Sequence, residues 1–483
     1  MVKLAIILGD TLFENIDELK DADIFFMKES KDLANHFLYH KKKIMLFFAS
    51  MRHYKDELTS KIDANKKIIY QRYDGSDYFE SLIEIIKRES VKKILTYEIK
   101  DQFFRKQIQD FCKRNKIELQ IFHNKNFIST TKEFETWRNE NKLFMHSYYI
   151  NQRKKLGILM NGQKPLGEKW SFDADNRKPF PKQIKIPKLP TFQKTKHLSE
   201  VENLVNDKFS QNPGTTTDFI YPITREQANH WLEDFINNRL ENFGTYEDAI
   251  SSDIDFGFHS ILTPSLNIGL LNPLDIVKKV ERSNAPLNSK EGFIRQIIGW
   301  REFVKGTYET ENLTTNYFNH KRKLPQSFYN ATTGIEPLDN TIKKTLKHGY
   351  NHHIERLMIL SNFMLLLNID PDEVYKWFME MYVDSADWVM IPNVYAMGQF
   401  ASDAFATKPY ISSSNYVLKM SDYSRGEWCD IWDALYWKFI NDKKDFFKKN
   451  PRMRMMVKMY EKKSDEKKKY LMNTANKYLE NLI

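Results

Sequence analysis

The first 130 residues alternate short apolar runs with longer amphipathic stretches. Short runs rich in Ile, Leu and Phe are typical of buried strands, whereas the stretches between them repeat apolar residues at helical spacing. This alternation predicts an α/β domain built on a doubly wound parallel sheet. The predicted strands are Lys3–Leu8, Ile24–Met27, Ile44–Phe48, Lys67–Tyr70, Lys93–Tyr97 and Glu118–Phe122. The predicted helices are Lys31–Tyr39, Met51–Asp63, Ser76–Glu89 and Gln102–Asn115.

The pattern changes after residue 130. Trp137–Lys154 has the spacing of a helix, and the proline- and lysine-rich stretch that follows indicates an irregular connector. Helix signals dominate from His197 onward, beginning with Thr224, which forms a capping-box pattern with Gln227. The sequence therefore predicts an α/β domain at 1–130, an interdomain connector at 131–196 and a large all-α domain at 197–483.

The charge, the cysteine count and the apolar segments of the chain limit the classes of function that it can have. A net charge of +10 and a pI near 9.0 suit a polyanionic partner such as nucleic acid, although an AT-biased genome produces the same excess of lysine. Cys112 and Cys429 are too few for a disulfide framework. The apolar run at the N-terminus is too short for a signal peptide, and no 18-residue apolar segment could span a membrane. These features predict a cytoplasmic protein.

The segment from Gly349 to Tyr410 is the most informative part of the chain. His352 and His353 enter an apolar helix there, followed by helix-ending signals, an acidic segment with tryptophan and a Gly/Ser/Thr-rich loop. With the stretches 224–250, 258–273 and 291–308, in that order, it resembles the photolyase/cryptochrome superfamily, and within it the prokaryotic photolyase-related branch. The resemblance implies FAD as cofactor, light as energy source and UV-damaged DNA as partner.

The resemblance places the flavin contacts in the helical domain. A flavin needs an apolar slot, groups that hold a diphosphate and polar groups at the ring edge. An ordinary N-cap and turn is the alternative for the loop at Thr263, and helix capping is the alternative for the aspartates. The implied flavin contacts are His259, Ser260, Leu262, Thr263, Leu266, Asn267, Glu291, Gln296, Trp300, Asp384, Asp387 and Asn393.

The His pair provides the candidate catalytic residues. In the (6-4) class of this superfamily a histidine beside the lesion donates a proton, a task that suits a pKa near physiological pH. The resemblance implies His353 as this donor and His352 as its neighbour; two structural histidines are the alternative. Asp173 and Asp175 lie in a segment that resembles one near the lesion pocket and could hold a divalent ion such as Mg²⁺, or form a solvated turn.

The branch also implies an electron relay and an antenna chromophore. Trp377, Trp388 and Tyr329 match relay positions, but Tyr329 and Ala386 replace residues that are usually Trp and Tyr in relatives. The antenna would be 6,7-dimethyl-8-ribityllumazine, and an empty or altered site is the alternative. The candidate antenna contacts are Gly9, Asp10, Glu29 and Asp32.

One usual feature of the branch is missing from the sequence. Its members commonly carry an iron–sulfur cluster, which needs several thiolates. Pro337 stands at the first expected cysteine position, and Cys429 is the one cysteine after residue 420. We therefore predict that the protein holds no iron–sulfur cluster and that Trp428 and Trp432 fill the space.

These features together lead to one main hypothesis and three rivals. The main hypothesis is a monomeric (6-4) photolyase that uses reduced FAD and His353. The rivals are a cyclobutane pyrimidine dimer photolyase, a cryptochrome-like blue-light photoreceptor and a nucleic-acid binder without flavin. The His pair disfavours the dimer enzyme, and the short stretch after the last predicted helix disfavours a photoreceptor with a signalling tail.

Overall fold

The N-terminal part is built on a parallel sheet, as a computed structural model that describes residues 1–402 and 406–482 shows. Within these ranges the sheet has five strands in the order β3-β2-β1-β4-β5. Its strands are β1 (Val2–Ile6), β2 (Ile24–Lys28), β3 (Lys67–Gln71), β4 (Val91–Tyr97) and β5 (Glu118–Phe122). The strand order reverses between β1 and β4, so their carboxyl ends flank the crevice where such sheets bind ligands. The predicted doubly wound α/β domain is confirmed.

One predicted strand is wrong. Ile44–Phe48 lies inside the helix Lys41–Lys61, which begins where the side chain of His40 accepts a hydrogen bond from the amide of Lys42. A short apolar run cannot by itself distinguish a strand from a buried helix segment. The buried positions continue beyond the run to Leu58 at helical spacing, and this longer pattern decides the structure.

Two predicted helices have different bounds. The helix expected at Lys31–Tyr39 covers only Lys31–Ala34. The helix expected at Trp137–Lys154 is two helices, Thr131–Glu140 and Met145–Leu156, because the backbone is extended at Asn141.

The two faces of the sheet enter different parts of the core. Leu4 and Ile6 of β1 pack with the helices Tyr78–Glu89 and Gln102–Arg114. Ala5 and the following Ile7, on the opposite face, belong to a cluster that continues without a break into the helical domain. Alternate residues of a strand point to opposite faces, so the face of Ala5 is the one that shares its apolar core with the helical domain.

The described residues from 197 onward are mainly helical, as predicted. Thr224 caps its helix by accepting a hydrogen bond from the amide of Gln227. The described α-helices after the connector are Lys196–Lys208, Arg225–Asp234, Leu240–Phe243, Thr263–Asn267, Pro273–Arg282, Leu287–Ile294, Glu302–Thr310, Ser327–Asn330, Glu336–His348, Asn362–Leu366, Pro371–Met381, Asp387–Ile391, Ser414–Met420, Glu427–Asp442, Lys444–Lys449, Arg454–Glu461 and Asp465–Glu480. Wider π-helical turns occur at Phe235–Arg239, Arg295–Arg301, Glu355–Ser361 and Pro392–Gly398.

Residues 403–405, in the segment from Gly349 to Tyr410, and Ile483, at the end of the predicted helical domain, lie outside the described residues. In the described ranges, no helix combines the length and apolar character needed to cross a bilayer. Trp428 and Trp432 are both buried, and their rings lie 6.0 Å apart beside the buried Cys429.

Candidate active site

A sharp turn presents the two candidate catalytic histidines. The helix Glu336–His348 ends at Gly349, whose φ of 68° is a conformation that glycine adopts at little cost. His352 and His353 then begin the helical stretch that continues into the π-helical turn Glu355–Ser361. The turn is tightly packed, because a Cβ atom on Gly349 would lie 3.1 Å from Val383. The positions of both histidines therefore depend on this turn.

His353 is accessible and is paired with a carboxylate. Its side chain is 46% exposed, and its Nε2 atom lies 3.4 Å from Oδ1 of Asp248. Partial desolvation lowers the pKa of His353, but the contact with Asp248 and the charge of Glu247 outweigh this effect and raise the pKa above its ordinary value. His353 is thus suited to carry a proton near neutral pH.

His352 and His259 form a buried, neutral pair behind His353. Their rings are stacked 4.7 Å apart with an interplanar angle of 7°. Burial lowers the pKa of His259 to about 3 and also lowers the pKa of His352 well below its ordinary value. The structure therefore brings the predicted His pair together with His259 and gives its two members different protonation states.

A buried carboxylate network lies next to the histidines. Glu247 accepts hydrogen bonds from Gln296 Nε2 at 2.8 Å and from Asn176 Nδ2 at 3.0 Å. The Arg295 guanidinium lies between this carboxylate and Glu291, with Nε 3.1 Å from Glu291 Oε1 and Nη2 3.8 Å from Glu247. Burial raises the pKa of Glu247 although the charge of Arg295 opposes the rise.

Glu291 and Gln296 join this network from two successive elements. Glu291 lies in the α-helix Leu287–Ile294, and Gln296 lies in the π-helical turn Arg295–Arg301 that follows it. Glu291 accepts a hydrogen bond from Arg295, and Gln296 donates one to Glu247. That these side chains form the wall of a flavin pocket stays a prediction.

The connector segment completes the mouth of the site. The amide of Phe172 donates a hydrogen bond to Glu291 Oε2 at 2.9 Å. Asp173 pairs with Arg177 and lies 3.5 Å from Arg295, whereas the side chain of Asp175 is exposed. The carboxylate of Asp173 already contacts two guanidinium groups, and a divalent ion at Asp173 and Asp175 stays a prediction.

A second group of predicted flavin contacts lies at the boundary with the α/β domain. Asn267 donates to the backbone oxygen of Asp384 at 2.8 Å and accepts from Arg301 at 2.6 Å. The guanidinium of Arg356 donates hydrogen bonds to both carboxylate oxygens of Asp384, at 3.0 and 3.1 Å. The same Arg301 guanidinium lies 4.7 Å from the ring of Trp388. Asn267, Asp384 and Trp388 thus lie in one buried cluster with Arg301 and Arg356.

Asp387 reaches the crevice of the sheet. Its amide donates a hydrogen bond at 3.1 Å to Asp101, which follows β4, and its carboxylate accepts one from Tyr375. The backbone oxygen of Asp10, which follows β1, accepts a hydrogen bond from Asn126, whose amide also donates to the backbone of Asn267. The crevice between β1 and β4 is therefore closed in part by residues of the helical domain.

The loop before the helix Thr263–Asn267 lies against a buried arginine. Arg239 donates to the backbone oxygen of His259 at 2.8 Å, and its Nε atom is buried without a hydrogen-bond partner. Trp231 donates to the backbone oxygen of Ser260 at 2.8 Å. Leu262 and Leu266 are core residues, and Thr263 is the first residue of the short helix.

The last two predicted flavin contacts are Trp300, which packs against the cluster of Phe127 and Trp388, and Asn393. Trp300 is half-buried and lies edge-on to Phe303, with ring centroids 6.4 Å apart. The side-chain amide of Asn393 donates to the backbone oxygen of Val389, in the preceding turn of its own helix, at 2.7 Å.

The relay candidates do not form one chain of contacts. Trp377 is fully buried, and its indole donates to the backbone oxygen of Phe328, the neighbour of Tyr329. The hydroxyl of Tyr329 donates to the buried carboxylate of Glu380 at 3.0 Å. Trp388 lies instead with Phe127, 4.8 Å away, at the domain boundary. Trp377 and Tyr329 are therefore adjacent, and Trp388 belongs to the cluster of Arg301.

The candidate antenna contacts also have separate hydrogen-bond partners. Glu29 is fully buried and engaged by Arg52 at 2.6 and 2.9 Å, by the hydroxyl of Tyr70 and by the amide of Tyr73. Asp32 accepts from the amide of Tyr78 at 3.1 Å. A Cβ atom on Gly9 would lie 2.7 Å from Phe47, and Asp10 lies at the crevice. Glu29 has a structural role here, and the antenna site stays a prediction.

Sequence reasoning missed the charged partners of the predicted residues. Asp248, Glu247, Arg295, Arg239 and Arg356 hold the candidate side chains in place. All five lie inside segments that carried the resemblance. One signal in the sequence could have pointed to them. It is the acidic pair Glu247-Asp248, which lies where the pattern of the preceding amphipathic helix ends.

Comparisons with known proteins fit this arrangement. A family model described as deoxyribodipyrimidine photo-lyase-related protein matches residues 5–221. The chain is 35% identical over 509 aligned residues to a (6-4) photolyase of Agrobacterium fabrum, covering 100% of both chains. It is 22% identical over 283 residues to the mitochondrial deoxyribodipyrimidine photo-lyase of Saccharomyces cerevisiae, covering 54% of this chain and 48% of the yeast protein.

The fold has a solved counterpart. A bacterial class III photolyase from Agrobacterium tumefaciens superposes with a TM-score of 0.59 at 17% identity, covering 100% of this chain and 96% of that one. The parallel-sheet domain and the helical domain of this chain thus have the fold of a photolyase. The chain belongs to the photolyase family, in its photolyase-related branch.

Proposed function

We propose that this protein is a light-driven DNA repair enzyme that acts on the (6-4) pyrimidine photoproduct and uses His353 as its proton donor. The observation that carries the proposal is the exposed His353 paired with Asp248, in front of two buried neutral histidines. Repair of a cyclobutane dimer needs no acid catalyst, whereas a protonated imidazole at an accessible pocket suits the (6-4) reaction.

The cofactor of the proposed reaction is FAD, which in its reduced form supplies a light-driven electron to the lesion. The buried residues fit such a group, because Arg239 keeps an unpartnered Nε atom beside the loop of Ser260, where it can meet a phosphate. Asn267, Arg301, Asp384 and Arg356 would meet the polar edge of the ring system.

The proton step depends on the charges around His353. Asp248 stabilises the imidazolium and holds the ring at the pocket. His352 and His259 stay neutral because they are buried, so they add no second positive charge next to the donor. His353 would protonate the lesion after electron transfer and take the proton back when the transferred group returns.

The DNA partner would meet positive charge at the mouth of the pocket. Arg177 lies 4.0 Å from Asp248, and Arg452 is exposed and donates to Thr407 Oγ1 at 3.1 Å. Burial raises the pKa of Tyr410, and the charges of Arg452 and Asp173 also act on it. The segment of Arg452 and the connector segment of Asp173 therefore both lie near Tyr410. A phosphate backbone along this rim would place a flipped lesion over His353. Unpairing and unstacking the lesion costs roughly a few kcal/mol.

The test is illumination of the purified, chemically reduced protein with duplexes that carry one lesion type each. We expect light-dependent loss of the (6-4) photoproduct and none of the cyclobutane dimer. Loss of the dimer alone would overturn the assignment of His353. A visible flavin spectrum with repair of neither lesion would favour the photoreceptor, and a colourless preparation would favour a flavin-free binder.

A further inference from the structure

The three histidines of the pocket have a feature that proton donation does not need. Nitrogen atoms of His259, His352 and His353 lie within 4.8 Å of one another. Two of these side chains are more than nine-tenths buried, and His259 Nε2 and His352 Nδ1 have no hydrogen-bond partner. Buried polar atoms are nearly always satisfied, so two unpartnered ring nitrogens in one group of three histidines point to a missing ligand.

The opposite ring nitrogen of each histidine is directed at an acceptor. His353 Nε2 lies 3.4 Å from Asp248, His352 Nε2 lies 3.7 Å from Glu355, and His259 bonds to the backbone of Glu247. Metal-binding histidines usually direct their second nitrogen to a carboxylate or carbonyl in this way, which fixes the tautomer and orients the ring. The acceptors around the three histidines therefore lie where metal-bound histidines usually have them, although the distance at His352 is longer than a hydrogen bond.

The ring orientations show what has to move. The plane of His353 is 70° from that of His259, so these two rings can direct a nitrogen at one ion. His352 is parallel to His259 and must turn out of the stack to join them. Its contact with Glu355 is longer than a hydrogen bond, so the turn breaks no strong interaction.

We propose that His259, His352 and His353 bind one transition-metal dication of the Zn²⁺ type, with a fourth position open to water. Three neutral imidazoles with an open position are a common Zn²⁺ donor set, and imidazole is preferred by Zn²⁺, Cu²⁺ and Ni²⁺ over Mg²⁺ and Ca²⁺. Burial keeps His259 and His352 unprotonated, as ligands must be.

The bound ion would regulate the same pocket. A metal on His353 occupies the nitrogen lone pair that must carry the proton, so Zn²⁺ would inhibit repair and a chelator would restore it. This consequence rests on the proposed function, whereas metal binding does not. The two are separated because binding is measured in the dark, without DNA.

The first experiment titrates tag-free, flavin-containing protein with Zn²⁺ against a chromophoric chelator, and with Cu²⁺ under electron paramagnetic resonance. We expect one tight site per chain and nitrogen splitting from the histidine ligands. His353→Gln should weaken binding by at least about tenfold. The control His146→Gln, at an exposed position of the helix Met145–Leu156, should leave it unchanged.

A second variant shows whether a loss of metal binding is caused by misfolding. His259→Gln removes a buried ligand, and retained flavin absorbance and circular dichroism show whether the protein is folded. Weak non-stoichiometric binding, or a tight site unaffected by His353→Gln, would overturn the proposal. Tight binding lost in His353→Gln, in a protein that repairs no lesion, would support the metal site and refute the repair function.

Discussion

The chemistry of the pocket is decided by the environment of single residues. His352 and His353 are adjacent in sequence, yet burial lowers the pKa of the first and Asp248 raises the pKa of the second. The sequence identified both residues through resemblance. It could not assign their protonation states, because Asp248 is more than a hundred positions away along the chain.

Asp248→Asn tests this difference. The substitution removes the charge that favours the imidazolium, so the pKa of His353 should fall. The proton donor would then be lost at lower pH, and the alkaline limb of the repair-rate profile should move toward acid. Repair rates with pre-reduced protein, together with an NMR titration of the His353 ring, measure both changes.

The exposed Asp253→Asn, five residues away, is the matched control and should leave the profile in place. An unchanged ring titration in Asp248→Asn would remove Asp248 from the mechanism.

Arg356 has a structural role that can be measured separately. It holds both oxygens of the buried Asp384, and Arg356→Met would leave that carboxylate unpaired. Breaking a buried ion pair in this way costs roughly 3–5 kcal/mol of unfolding free energy. Denaturant titration should show the loss, and the double variant Arg356→Met/Asp384→Asn should recover part of it. No recovery would mean that the pair is not energetically coupled.

At the level of elements, short features position the site. The sequence predicted five of the six proposed strands of the α/β domain correctly, because buried strands and amphipathic helices differ in period. It placed Ile44–Phe48 in a strand because the run is short, and only its continuation to Leu58 reveals the helix. The π-helical turn at Arg295–Arg301 left no signal in the pattern and was not predictable from it.

The C-cap at Gly349 offers an element-scale prediction with an internal control. Gly349→Ala forces a side chain into positive φ, which costs about 1 kcal/mol, and its Cβ also meets Val383. Gly334→Ala has the same backbone cost at φ 77° but meets nothing within 4 Å.

We therefore expect both variants to lose stability in thermal unfolding, and Gly349→Ala alone to lose repair. Equal repair in the two variants would show that the turn does not set the histidine positions.

At the level of the whole molecule, the two domains meet through buried charges. Burial raises the pKa of Asp10 to about 6, although the charge of Lys100 opposes the rise. Burial also raises the pKa values of Asp101 and Asp387. These carboxyl groups lie where the sheet crevice meets the helical domain. The resemblance gave the domain order, but contacts between residues far apart in sequence are not visible in a periodic pattern.

Asp10→Asn tests this boundary through pH. The folded protein keeps a proton on Asp10 that the unfolded chain, with a pKa of about 4, releases. This contribution is complete below about pH 4 and is lost as the pH rises through about 6. The variant should therefore gain thermal stability relative to the original protein at about pH 8, and the gain should shrink toward pH 4.

The exposed Asp110→Asn is the control and should give a difference that does not vary with pH. A gain that stays constant across the range would show that Asp10 ionises normally.

The core that runs unbroken from one face of the sheet into the helical domain has a calorimetric consequence. Ala5 and Ile7 of the sheet belong to the same packed cluster as Trp377 and Trp432. Heat should therefore melt the molecule as one cooperative unit, with the flavin colour and the far-ultraviolet signal disappearing at a single temperature. Each half expressed alone would present a wide apolar surface to water and should aggregate rather than fold.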